Sequence, residues 1–179
     1  MISYKDFRWD SPIGVMKSDF YHFKDHFIQA ILPESLDYAM GIDPGRKFAV
    51  CTIRGKEVNC SYGTFDNASP EIHAKWAAEY MRNHFYWCVD WPVTIEGAAY
   101  NKPYGQVGLA YIRMGFYLPM VRITRVNITP PATVRKVAFG SGKVKAKDLW
   151  PKINDNAAAA VGCALHAAGV TIDVPEDLE

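Results

Sequence analysis

The sequence predicts an α/β domain built on a mixed central sheet with helices on both faces, preceded by an aromatic-rich N-terminal extension. Three observations carry that expectation. Strand-like runs follow one another between residues 38 and 65. Helical and strand-like segments then alternate as far as residue 168, the pattern of a layered α/β fold. The chain has 179 residues, 49% hydrophobic and 22% charged. That suits one domain around one core and excludes a disordered or collagen-like chain.

The elements are justified in order. Residues 1–37 form the extension, with Tyr4, Phe7, Trp9, Phe20, Tyr21, Phe23 and Phe27. That is too apolar for a free tail, so it is expected to pack on the domain or on a second subunit. Within it, Phe20, Phe23, Phe27 and Ile31 recur at spacings of three and four, which predicts a helix over 18–31. The main domain is expected over 38–170. Tyr38–Asp43 reads as a strand, Pro44-Gly45 as a turn and Lys47–Arg54 as a returning strand. Arg54–Glu57 reads as a further turn before a third strand over 58–65. Ser69 caps a helix with Pro70 in its first turn, expected to run to about Cys88 with Ile72, Trp76 and Tyr80 inward. Val93–Ile95 is a short buried strand ending at Glu96. A helix is expected near Tyr104–Phe116, where Gly108 and Gly115 permit a close neighbour. A strand follows over 117–126. Pro130-Pro131 opens a short helix to Phe139, Gly140-Ser141-Gly142 is a loop, and a last helix runs from Asp155 to Ala168. Residues 171–179 make an acidic tail.

Apolar runs fall well short of the roughly 20 residues a membrane span needs, so no membrane role is expected. The N-terminus shows no basic segment followed by an apolar one, which predicts no secretory signal and a cytoplasmic location. Cysteines 51, 60, 88 and 163 form no CxxC pair. Buried free thiols are expected rather than a zinc ribbon or disulfide framework. His22 and His26 lack acidic or cysteine partners at zinc-site spacing.

Charge is segregated. From Gly97 to Lys147 there is no Asp or Glu, while Lys102, Arg113, Arg122, Arg125, Arg135, Lys136, Lys143, Lys145 and Lys147 give a local charge of +9. The whole chain is only +1, so the rest carries −8. A solvated surface ordinarily mixes both signs, so an acid-free basic stretch points to a polyanion such as nucleic acid.

Three carboxylates stand out by context. Asp43 and Glu96 each end an apolar strand just before a glycine-bearing turn. Asp155 stands at the start of an alanine-rich helix. If the two strands are neighbours, both carboxylates emerge at one sheet edge, and the last helix can bring Asp155 there. Hard divalent cations take such oxygen ligands, and two of them ~4 Å apart assist phosphodiester cleavage. The bland alternatives are that Asp43 serves its turn and that Asp155, or Asn154, caps its helix.

At these residues the sequence resembles the RuvC family of Holliday junction resolvases, within the RNase H-like nuclease superfamily. Gly41-Ile42-Asp43-Pro44-Gly45 with Phe48-Ala49-Val50 resembles the family's first-strand signature. Thr94-Ile95-Glu96 resembles its second carboxylate motif, and Gln106–Gly115 the glycine-bearing helix after it. Pro130–Lys147 resembles the region of DNA-contacting basic residues, and Asp155–Ala168 the closing helix. The resemblance covers about residues 38–168, in order. Many resolvases carry two aspartates three apart on the last helix; here the residue three beyond Asp155 is Ala158, which resembles the YqgF branch.

The resemblance implies an RNase H-like endodeoxyribonuclease acting on four-way (Holliday) DNA junctions as a homodimer, in a bacterial cell or from a bacteriophage. It implies Asp43, Glu96 and Asp155 as catalytic residues and ligands of Mg²⁺, with Mn²⁺ as a substitute. Asn156 would hold a phosphate or a water. Arg135, Lys136, Lys143, Lys145 and Lys147 would contact DNA phosphates, and Tyr100 or Tyr104 would meet bases at the junction. Two alternatives remain: a non-catalytic nucleic-acid-binding protein on the same fold, and a YqgF-like RNA nuclease.

Overall fold

The computed structural model describes residues 2–10, 15–17, 23–97 and 106–175. The described part is a mixed α/β arrangement organised on one long antiparallel hairpin. Strand β3 (Phe23–Asp43) turns at Pro44–Arg46 into strand β4 (Lys47–Phe65). The pair runs from Phe23 opposite Phe65 to Asp43 opposite Ala49, with register shifts between Ile31 and Ala39. Short strands β1 (Arg8–Trp9) and β2 (Val15–Lys17) pair antiparallel with the first half of β3. Its second half pairs in parallel with β5 (Val93–Glu96), which pairs in parallel with β6 (Val126–Thr129).

Helices cover both faces because the hairpin alternates. Met40, Ile42, Phe48 and Val50 pack with Val93 and Ile95 against α1 (Pro70–His84) and α2 (Gln106–Val121). Ala49, Cys51 and Ile53 face the other way, toward α3 (Pro131–Phe139), α4 (Ala146–Leu149) and α5 (Asp155–Ala168). Ile2, Phe7, Ile28, Ala30 and Leu32 belong to this second core, so described residues of the N-terminal 37 pack on it. Each fully buried large apolar side chain is worth ~1.5–3 kcal/mol. The indole of Trp150 closes this side, donating its Nε1–H to the Tyr4 carbonyl at 3.0 Å.

Two glycines set the layer spacing. A Cβ on Gly41 would overlap the Ala160 carbonyl and the Ala164 amide of α5. A Cβ on Gly115 would overlap the Ala74 carbonyl. The close approach expected of Gly115 therefore lies within the chain, between α2 and α1.

Several expected elements are borne out: the strand into Asp43, its turn, the Ser69-capped helix, β5, α3 and α5. The helix N-caps are Ser69 and Asn154; Asn154, not Asp155, caps α5. The cysteines are free and buried. Other expectations are corrected. The helix over 18–31 is a strand from Phe23 onward. Ile28, Ala30 and Leu32 are buried at alternate positions, and this period of two outcompeted the three-and-four spacing. His26 therefore lies on a strand and shares no helix face. Residues 54–57 make no turn, and 47–65 form one strand. Gly55, at φ +63°, takes up a bulge where register shifts separate Ile31, Leu36 and Ala39 on β3. Residues 117–121 extend α2 instead of forming a strand, because Phe116 and Met120 anchor one helical face in the core. Helix α1 ends at His84, and its buried face is His73, Ala77, Tyr80 and Met81, with Ile72 exposed.

Gly41→Ala should destabilise the fold by ~3 kcal/mol or more, because both obstructing groups are backbone. Gly140→Ala should cost only ~1–2 kcal/mol, since its φ is +74° but its Cβ meets nothing within 4 Å. Denaturant midpoints of the two variants check the contrast.

Candidate functional site: a half-buried carboxylate pair beside a basic pocket

Parallel pairing puts the two strand-end acids together. Ile42 lies opposite Ile95, so the next residues, Asp43 and Glu96, leave the sheet side by side at the carboxyl ends of β3 and β5. Ligands of open α/β sheets commonly bind at such strand ends. The two carboxyl groups hydrogen-bond each other. Burial, then the adjacent Glu96 carboxylate, pushes Asp43 well above the usual carboxylate range. Burial raises Glu96 as well, against the opposing pull of the Asp43 hydrogen bond, Arg135 and Arg113. Burial and mutual proximity thus favour the protonated form of the pair, more strongly at Asp43 than at Glu96.

Three neighbours limit the cost of that pair. Arg113 on α2 donates its Nε–H to the Glu96 carbonyl at 3.0 Å, and its guanidinium charge faces both carboxyls. Asn156 hydrogen-bonds Asp43 and donates its Nδ2–H to the Lys47 carbonyl at 3.2 Å, tying α5 to the β3–β4 turn. Arg135 is held on α3 by Nε–H donation to the Pro131 carbonyl at 3.2 Å.

Asp155 is exposed at the start of α5. It does not join the pair: among the described residues, no three His, Cys, Asp or Glu side chains converge as one metal-ligand group. It shares instead a cavity of about 150 Å³ with Glu96, Arg135, Lys145 and Lys147. Ala158, three residues on, is buried in the core. Lys136 and Lys143 are exposed and do not line that cavity. Tyr100 and Tyr104 lie outside the described residues. The site residue that sequence reasoning left unassigned is Arg113. Its only signal was membership of the acid-free basic stretch.

The donor set suits a hard divalent cation. Two half-buried carboxyl groups in contact are eased by a shared proton or a cation, and oxygen ligands of this kind favour Mg²⁺ or Mn²⁺. Asp43 and Glu96 would hold such an ion, with Asp155 across the cavity.

A scan of the chain against protein-family models finds no match, and a search of curated proteins finds none either. Among the described residues, no helix is long and apolar enough to cross a membrane.

Because the fold raises the Asp43 pKa, the native chain keeps a proton that the unfolded chain releases. Stability therefore falls as pH rises from the ordinary carboxylate value through the raised native one. In metal-free buffer, Asp43→Asn should raise the unfolding midpoint at pH 7. The gain should vanish below about pH 4, where the unfolded-state carboxyl is also protonated. Equal midpoints at pH 7 would mean that Asp43 ionises in the fold without cost.

Proposed function

We propose that the chain is a metal-dependent, structure-selective endonuclease that hydrolyses phosphodiester bonds in four-way DNA junctions, on an RNase H-like domain. The observation that carries this reading is the half-buried Asp43–Glu96 pair at adjacent parallel strand ends, beside a cavity walled by Arg135, Lys145 and Lys147. A half-buried acid pair next to basic side chains suits a substrate that is itself an anion approached through a cation. The strand order supports the fold assignment: a long hairpin followed by two parallel strands, closed by a helix that packs on β3 at Gly41. The acid-free stretch containing α2, β6 and α3 provides the positive surface that phosphates need.

Within this reading the residues have distinct tasks. Asp43 and Glu96 would hold Mg²⁺, with Asp155 facing the same cavity as Glu96. The bound ion would polarise the scissile phosphate and help activate water. Arg113 positions Glu96 and balances the pair when no ion is bound. Lys145 and Lys147 would meet the phosphate, Arg135 the flanking backbone, and Lys136 and Lys143 more distant phosphates. Such contacts position DNA and carry little sequence information. A homodimer would supply two sites for symmetric cuts. Tyr111, Met114, Leu118 and Val121 form an exposed apolar stripe on α2, at spacings of three and four, that suits a self-complementary contact.

The separation of Asp155 from the acid pair favours a second reading: a protein that binds junctions without cutting them.

Asp43→Asn and Glu96→Gln should each lower junction cleavage at least ~100-fold while leaving binding within about threefold. EDTA should abolish cleavage by the wild type. Gel assays with a labelled four-way junction, a linear duplex and an RNA hairpin test this together. Metal-independent cutting would sink the metal-dependent mechanism, and binding with no cut in Mg²⁺ or Mn²⁺ would establish the second reading.

Lys145→Ala/Lys147→Ala should weaken junction binding and lower the slope of log affinity against log salt by about two. Lys143→Ala alone should move the slope by one or less. Equal slopes for wild type and double variant would remove this cavity from the DNA footprint.

A further inference from the structure

Two further cavities adjoin the site on the side away from α3. The first, of about 400 Å³, is lined by His26, Lys47, Tyr62, Asn154 and Asn156 among others. The second, of about 520 Å³, is lined by Tyr4, Trp9, Tyr62, Trp150, Lys152 and Asn154 among others. Both volumes lie in the range of ligand sites, ~300–1,000 Å³. They share two walls, Tyr62 and Asn154, and so form one groove. That groove starts at the N-terminus of α5, where Asn156 hydrogen-bonds Asp43. It follows the outer half of the β3–β4 hairpin to the Trp9–Trp150 cluster.

We propose that this groove holds unpaired nucleotides of the DNA substrate, with Tyr62 as the principal stacking surface. The inference rests on the nuclease reading and names a substrate class for it: branched DNA with a single-stranded segment at the cut. Three observations support it. His26 and Tyr62 face each other across the hairpin, with rings stacked at 5.2 Å and 16°. Both are partly open to the groove, giving a flat aromatic surface of the kind on which bases stack irrespective of sequence. A paired base has both faces covered by its neighbours in the duplex, so only an unpaired one can use such a surface. The groove also carries exposed Lys5, Lys47 and Lys152 against Asp10 and Asp66, a net positive lining for a backbone. Finally, Asn154 and Asn156 line the groove while Asp155, between them, lines the cavity of Glu96, so groove and cavity flank one short stretch of chain.

The test compares two DNAs by fluorescence anisotropy of the full chain in EDTA, where no cutting occurs. One is a blunt duplex; the other is the same duplex with a short single-stranded tail carrying 2-aminopurine. Wild type should bind the tailed DNA about tenfold more tightly and quench the 2-aminopurine. Tyr62→Ala should remove both the preference and the quenching and leave blunt-duplex affinity unchanged; Tyr62→Phe should retain both. Lys152→Glu, an exposed change that leaves the core intact, should weaken only tailed-DNA binding by about threefold or more. Equal affinity of wild type for the two DNAs, or equal losses on both in Tyr62→Ala, overturns the groove assignment. In that case Lys145→Ala/Lys147→Ala still weakens both DNAs if the nuclease reading is sound. Failure of wild type to bind either DNA overturns that reading and the groove with it. A preference for a tail of RNA over DNA overturns the DNA assignment.

Discussion

The side-by-side placement of half-buried Asp43 and Glu96 is the constraint around which the site is arranged. Two like charges held together out of water are unfavourable unless a proton, a cation or fixed positive groups intervene. The chain supplies all the fixed help it can. Arg113 approaches from α2, Arg135 from α3, and the Asn156 amide from α5. Three helices separated by as many as 43 residues in sequence are thus tied to one sheet edge by the same electrostatic requirement. A pair that only served the fold would be replaced at a gain by well-packed apolar side chains. Its retention is physically reasonable where a bound cation repays the cost.

The route by which those helices arrive depends on close backbone packing. Gly41 lets β3 lie directly on the α5 backbone, which fixes where the N-terminus of α5 emerges. Asn154 spends its side chain on capping, accepting from the Asn156 amide at 2.9 Å and the Ala157 amide at 3.3 Å. That leaves Asp155 free to face the basic cavity and Asn156 to turn toward Asp43. One helix start therefore serves the acid pair, the phosphate-sized cavity and the aromatic groove at once.

The long hairpin is what makes room for that groove. A short β3 would end near Ala39, and the sheet would carry only the carboxylate edge. Continued back to Phe23, the same strand provides a first half that pairs with β1 and β2 and adds to the second core, and Tyr62 stands opposite it on β4. The bulge at Gly55 lets the hairpin bend without breaking.

Much of this architecture was legible in the sequence. Apolar strands that stop at Asp43 and Glu96, the Ser-Pro start of α1, the Pro-Pro start of α3 and the alanine-rich α5 are all local signals, set by propensity, capping and periodicity. The sequence marked Asp43 and Glu96 as strand ends, but their adjacency rested on β3 and β5 being neighbours, which the parallel pairing supplies. What sequence could not decide was longer in range. Whether 23–31 pairs as a strand depends on a partner some 30 residues away, and pairing overrode a helix-like spacing of aromatics. Whether Arg54–Glu57 turns or bulges depends on what β3 offers opposite it. The role of Arg113, the division between cavity-lining Lys145 and Lys147 and outlying Lys143, and the separation of Asp155 from the acid pair arise only when helices pack. Local physics determined which residues end strands and begin helices; only tertiary packing decided which of those ends meet, because the groups that stabilise one another there are distant along the chain.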